Sequence, residues 1–235
     1  MGVQRRAVLL TALVLVQAAL SAQGTSVEDL PHAVPREGAK RVLTNAWVTA
    51  WDATWIPNKP TAMHRHLYDY FGVELADSIT NLIGRDSQAR TVSLRRGQSW
   101  FIAKGATHLE IGLTADPPRR AILVDLSDMP SPAYDNSTTF PVAFPPDGAQ
   151  KVVDNRRVVM WDQAWPPGQP GSMHFYPRNV VLMFVDGGEL TFSAPGAPTQ
   201  VSSFATGEVL FLPGGRARAV QATSTTVRAI VVELK

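Results

Sequence analysis

Three of the chain's five histidines lie in one stretch, between Met63 and Glu110. His64-Arg65-His66 stands at one end, and His108 closes the run Gly97–His108 at the other. In an extended strand residues i and i+2 point to one face, so His64 and His66 aim at a common point. The run from Gly97 alternates apolar and polar residues after a glycine turn and reads as a second strand ending on His108. Asn81–Leu94 is polar and rich in turn residues, and an excursion there lays the two strands side by side. Three imidazoles converging from neighbouring strands are donors for a transition metal, leaving one position open on a tetrahedral ion or more on an octahedral one. Their alternative is plain hydrogen bonding in a polar interior.

The fourth donor stays open between four residues. Glu110, two positions past His108, shares its face by parity and is favoured as a ligand or as a base that moves a proton. Tyr70 and Glu74 share the parity of His66 if no bulge intervenes, whereas Asp69 needs one.

The pair His64 and His66, followed about thirty residues later by Gly97, Gly105 and His108, resembles the two signature motifs of the cupin superfamily. Ala103 stands where those motifs usually carry Pro. Tyr70 stands where they carry an acidic ligand, with Asp69 one position early. The resemblance implies a small antiparallel β-barrel of jelly-roll type, and a three-histidine site in place of the commoner three-His-one-Glu set. It implies one divalent transition metal (Fe, Mn, Zn, Ni or Cu) and a small-molecule substrate or ligand. Members with three histidines resemble dioxygenases; others isomerise, hydrolyse or only bind.

The elements that must position these residues occur twice. Shifting the chain by 110 residues lays Pro35, Gly38, Ala39 and Asn45 on Pro145, Gly148, Ala149 and Asn155. The same shift pairs Trp51-Asp52 and Trp55 with Trp161-Asp162 and Trp165, Met63-His64 with Met173-His174, and Gly97 and Gly105 with Gly207 and Gly215. After a two-residue adjustment Arg120–Leu126 meets Arg228–Leu234. A single offset held over so many positions marks a duplicated domain. Short runs rich in Val, Ile, Leu and aromatics, such as Val152–Met160, Val180–Val185, Val209–Leu212 and Val227–Leu234, alternate with Gly/Pro/Asp clusters. The fold class expected is therefore all-β, two tandem antiparallel barrels over 34–127 and 144–235, joined by the Pro-rich linker 128–143. A short helix is allowed only near Leu75–Leu82.

The duplication compares the site with itself. His64, His66, Tyr70, His108 and Glu110 face His174, Tyr176, Val180, Arg218 and Val220. One imidazole beside a guanidinium is a poor metal site. The second copy reads as metal-free, its other use being an anion gripped by His174, Tyr176 and Arg218. The Trp-Asp-x-x-Trp motif persists in both copies and reads as architecture, aromatic packing with the Asp tying a turn. His32 has no role in this reading.

Residues 1–24 read as a signal peptide: Arg5 and Arg6, an apolar run Ala7–Leu20, and small residues at Ala19, Ser21, Ala22 and Gly24. The run is shorter than the ~20 residues of a membrane span, so a periplasmic or secreted product without stable membrane insertion is expected. The chain carries 22 Lys+Arg and 20 Asp+Glu, and without Arg5 and Arg6 the two are equal. That balance argues against nucleic-acid binding. There is no cysteine, which excludes disulfides and thiolate chemistry. Asn136-Ser137-Thr138 is a glycosylation sequon, and homodimerisation is left open. Two functions compete: an exported metal-dependent bicupin acting on a small molecule, and a non-catalytic ligand-binding or sensor cupin.

Overall fold

A computed structural model describes residues 26–235; the expected signal peptide lies outside them. Eighteen strands and one short 3-10 turn, Val27–Asp29, make up its regular structure. The chain divides into two compact units, one reaching to Arg41 and resuming at Trp51–Leu126, the other of Val42–Ala50 with Ser127–Lys235. No helix among the described residues is long and apolar enough to cross a membrane.

The first nine strands are β1 (Ala39–Thr44), β2 (Val48–Thr54), β3 (His64–Arg65), β4 (Asp69–Glu74), β5 (Ser78–Ile83), β6 (Ala89–Leu94), β7 (Ser99–Ile102), β8 (Thr107–Gly112) and β9 (Arg120–Leu126). The next nine are β10 (Gln150–Asp154), β11 (Val158–Trp165), β12 (His174–Tyr176), β13 (Val180–Asp186), β14 (Gly188–Ser193), β15 (Gln200–Phe204), β16 (Val209–Leu212), β17 (Arg216–Ala222) and β18 (Val227–Leu234). Each set forms a five-stranded and a four-stranded sheet: β1-β2-β9-β4-β7 with β3-β8-β5-β6, and β10-β11-β18-β13-β16 with β12-β17-β14-β15. Adding nine to every label of the first set reproduces the second. The fold is all-β and duplicated, each copy an antiparallel pair of sheets whose ladders do not close into a ring.

Register follows the sequence offset as well. His64 pairs with His108 as His174 pairs with Arg218, and Tyr70 with Ile102 as Val180 with Leu212. The repeat also reaches further back than the motif comparison implied. The Arg65 amide donates to Pro31 and the Phe175 amide to Pro141, each at 2.8 Å. Pro31-His32-Ala33 and Pro141-Val142-Ala143 are thus equivalent, so the end of the Pro-rich segment belongs to the second copy's β12 edge.

Four local expectations change. Val152–Met160 is not one run, because residues 155–157 turn the chain between β10 and its antiparallel partner β11. Gly97–His108 is not one strand: β7 and β8 lie in different sheets, split by a turn in which Gly105 adopts φ +93°. His108 therefore lies near the start of β8 and does not end a strand. Residues 78–83 form β5, not a helix; Ile79, Thr80 and Ile83 are β-branched and pair with both β6 and β8. Asp52 ties no turn but bridges to Arg120 at 2.9 and 2.7 Å, and Asp162 does the same with Arg228 at 2.8 and 2.7 Å.

In the second unit the two sheets are joined by apolar contact. Val180, Leu182 and Phe184 of β13 cluster with Leu190 of β14, Val220 and Ala222 of β17, and Val227, Ala229 and Val231 of β18. The first unit replaces part of that cluster with charge.

Candidate metal centre

The site is assembled where the short strand β3 pairs with β8. His64 and His108 are direct cross-strand partners, so their side chains share a face. His66 follows one residue beyond β3, and its main chain is pinned by its own amide to Ala106 and by its carbonyl to the Gly105 amide, at 2.9 and 2.8 Å. The three rings meet: centroids lie 4.7 Å apart for His64–His108, 5.1 Å for His66–His108 and 5.2 Å for His64–His66. One nitrogen from each falls within 4.8 Å of the others, and among the described residues this is the single grouping of His, Cys, Asp or Glu fit for one ion.

The donor set suits a metal. His64 Nδ1 donates to the Ala62 carbonyl at 3.0 Å, which leaves the unprotonated Nε2 free to ligate. His64 Nε2 and both ring nitrogens of His66 are buried without any hydrogen-bond partner. Unpaired polar atoms in a protein interior are costly, and an ion would satisfy His64 Nε2 and one of the two His66 nitrogens. Burial, reinforced by the neighbouring rings, pushes His64 down to about 4 and His66 to about 3; burial also lowers His108. All three are thus neutral at physiological pH, the form that binds metal.

Of the carboxylates considered as a fourth donor, Glu110, Glu74 and Asp69, none joins the triad's grouping. Glu110 Oε1 lies 3.9 Å from His108 Nε2. Its carboxylate is already engaged: Arg119 Nη1 donates to Oε1 and Trp55 Nε1 to Oε2, both at 3.0 Å. Burial raises this carboxyl, but the charge of Arg119 prevails and holds it at about 2. Glu74 is fully buried and bound by Arg119 at 3.1 and 2.8 Å and by Trp100 Nε1 at 3.0 Å. Asp69 accepts from the Lys104 amide in the β7–β8 turn. The Tyr70 ring packs 4.6 Å from that of His66, and burial raises its phenol well above the ordinary value, so it stays protonated.

Arg119, only 4 % exposed, escaped the motif reading. It bridges Glu74 of one sheet and Glu110 of the other, with its guanidinium 3.8 Å from the centre of the Trp55 ring. A signal for it was present. At the duplication offset Glu74, Thr80 and Glu110 correspond to Phe184, Leu190 and Val220, and after the two-residue adjustment Arg119 corresponds to Val227, all members of the second unit's apolar cluster. Four polar positions become apolar together, in the copy that also lacks the triad. The Asp52–Arg120 pair, by contrast, persists as Asp162–Arg228 and is architectural. His32 also has a role: Nε2 meets Asp125 Oδ1 at 2.9 Å, Nδ1 accepts from the Leu67 amide at 3.2 Å, and Trp51 Nε1 donates to Asp125 Oδ2 at 3.2 Å. This network latches the N-terminal segment beside β3.

In the second unit His174 and Arg218 are paired, and the guanidinium lies 5.0 Å from the centre of the Tyr176 ring. Arg218 Nη2 donates to the Pro213 carbonyl at 2.9 Å. No metal grouping forms there among the described residues.

Compared with known proteins, the sequence matches no protein-family model and no curated protein. Solved structures do resemble it. A cupin 2 conserved barrel domain protein from Leptotrichia buccalis aligns over 86% of this chain and 92% of its own, at 13% identity and TM-score 0.52. An oxalate decarboxylase variant from Bacillus subtilis aligns over 89% and 76%, at 10% identity and TM-score 0.59. The fold is that of a bicupin. AerE from Microcystis aeruginosa aligns over 88% of this chain and 98% of its own, at 15% identity and TM-score 0.59. At such identities the likeness carries the fold alone, and the chemistry must be argued from the residues.

Proposed function

We propose that the chain is an exported bicupin that binds one divalent transition metal through His64, His66 and His108 and acts on a small molecule, with dioxygenase-type chemistry favoured. One observation carries this reading: three neutral imidazoles, two of them with unpaired buried nitrogens, converge on a cavity of about 480 Å³ in the first unit. A cavity of this size, apolar with a few convergent polar groups, suits a small ligand. The bound ion would supply Lewis-acid or redox chemistry at coordination positions the protein leaves open.

The chain's own residues do the rest. Glu110 is ionised and locked by Arg119 and Trp55, so it serves as a fixed negative charge beside His108 and as a poor proton acceptor at neutral pH. Tyr70 offers a protonated phenol at the cavity wall. Leu82, Val92, Leu94 and Ile102 exclude water from the same wall. The apolar replacements at Phe184, Leu190, Val220 and Val227 show that the fold tolerates the loss of these charges, which favours a role in the site over one in stability.

Metal analysis tests the reading. Chain purified without an affinity tag should hold about one equivalent of transition metal, lost in His64→Ala and His108→Ala and kept in His174→Ala. Equal metal in wild type and His108→Ala, or none above trace in wild type, would overturn it in favour of a metal-free binding or sensor cupin.

A further inference from the structure

We propose that the cavity beside the histidine triad recognises a small carboxylate with an apolar body, and that Arg36 is the residue that selects it. The inference rests on the triad cavity being the ligand site. Arg36 lines that cavity, its guanidinium 4.4 Å from the centre of the Trp55 ring. Nη1 donates to the carbonyls of Glu37 and Thr54 at 2.9 and 3.3 Å. Nη2 is buried and has no partner.

Arg119 and Arg36 differ in what their donors meet. Both guanidinium groups stack on Trp55, but Arg119 is in contact with two carboxylates, Glu74 and Glu110. No carboxylate among the described residues ion-pairs with Arg36. A guanidinium stays protonated in proteins, so it cannot relieve its burial by losing a proton. Burial in fact leads the influences on Arg36 and lowers it from its ordinary value, while Glu110 acts on it only at a distance. A donor left free in the cavity wall is open to an acceptor from outside the chain, and a carboxylate matches the geometry of a guanidinium donor.

The rest of the wall sets the body of the ligand. Leu82, Val92, Leu94, Phe101, Ile102 and Leu123 offer an apolar surface to it, alongside the exposed Arg90, Ser93 and Gln98. In the second unit Pro146 stands at the position of Arg36. The copy without the triad therefore also lacks this cation.

The test uses the whole chain, metal-free and metal-loaded, with matched probes: phenylacetate and phenylacetamide, hexanoate and hexanamide. Binding is read by calorimetry and by the fluorescence of Trp55 and Trp100, both in the cavity wall. At least one carboxylate should bind about 10- to 100-fold more tightly than its amide, the range expected for a hydrogen bond to a charged group. Arg36→Gln should erase that preference in both forms and leave metal content unchanged; Arg36→Lys should keep part of it. Carboxylates that bind no better than their amides would overturn the proposal. So would a preference present only in the metal-loaded form and untouched by Arg36→Gln, because the metal would then be the anion's partner. Should Arg36→Gln fail to fold, the wild-type comparison in the metal-free form decides alone. Failure of the metal reading shows separately, as equal metal in wild type and His108→Ala.

Discussion

Replacing Arg119 with Met asks how much of the first unit hangs on one buried cation. The substitution keeps a long side chain but strips the partner from two carboxylates, Glu74 at 0 % exposure and Glu110 at 13 %. Removing one member of a buried ion pair costs about 3–5 kcal/mol, because the remaining charge is left in a poor solvent. The Glu110 carboxyl gives a second route to the number. It sits at about 2 against an ordinary 4.5, a difference equivalent to about 3 kcal/mol of stability at neutral pH. The two routes agree. Urea unfolding at pH 7, followed by tryptophan fluorescence, should move the first unit's midpoint down by about 2 M for a slope near 2 kcal/mol/M.

The sign of the pH effect follows from the direction of the shift. Glu110 is depressed in the folded chain, so its contribution is complete above about 4.5 and is lost as pH falls through about 2. The gap between wild type and Arg119→Met should therefore be widest at pH 7 and narrow towards pH 3. Adding Glu74→Gln and Glu110→Gln to Arg119→Met removes the orphaned charges, keeps acceptors for Trp100 and Trp55, and should recover at least about 1 kcal/mol. A loss below about 1 kcal/mol in Arg119→Met, or further loss on adding the two glutamines, would refute the reasoning.

Acid should weaken the metal-free chain: His64 and His66 are lowered to about 4 and about 3, so the unfolded chain takes up their protons first and stability falls as pH drops from about 6.5 towards 3. His66→Asn should flatten the slope of thermal midpoint between pH 7 and 4.5, and an unchanged slope would contradict the assignment. Asp52→Asn and Asp162→Asn cut equivalent half-exposed pairs and should each cost no more than about 1 kcal/mol, by similar amounts, in urea unfolding. Gly72→Ala should cost about 1–3 kcal/mol, since an added Cβ would lie 2.4 Å from the Ile122 carbonyl oxygen and 2.6 Å from the Trp100 ring; a melt matching wild type would show that β4 can yield.

The sequence by itself determined the duplication, the all-β class and the convergence of His64, His66 and His108. Those features are written in spacing: a parity of two for strand neighbours, and one offset that preserves glycines, tryptophans and the Met-His pair across the chain. Even the register pairs of the two copies follow that offset, because a strand that slips by one residue turns its buried face outward. Only the tertiary structure could decide where the charges go. Glu74 and Glu110 belong to different sheets, and nothing local in either strand says that Arg119, just before β9, will lie between them. His32 and Asp125 stand 93 positions apart, and Asp52 and Arg120 stand 68 apart, so propensity and pattern have no purchase on either pair. Gly97–His108 looked continuous for the converse reason. Its alternation persists through the turn at Gly105, and it is the assignment of β7 and β8 to separate sheets that breaks it. The donor set was legible because metal ligands must be particular residue types at particular spacing. The ion pairs that shape the cavity were not, because any approach of opposite charges in space will serve.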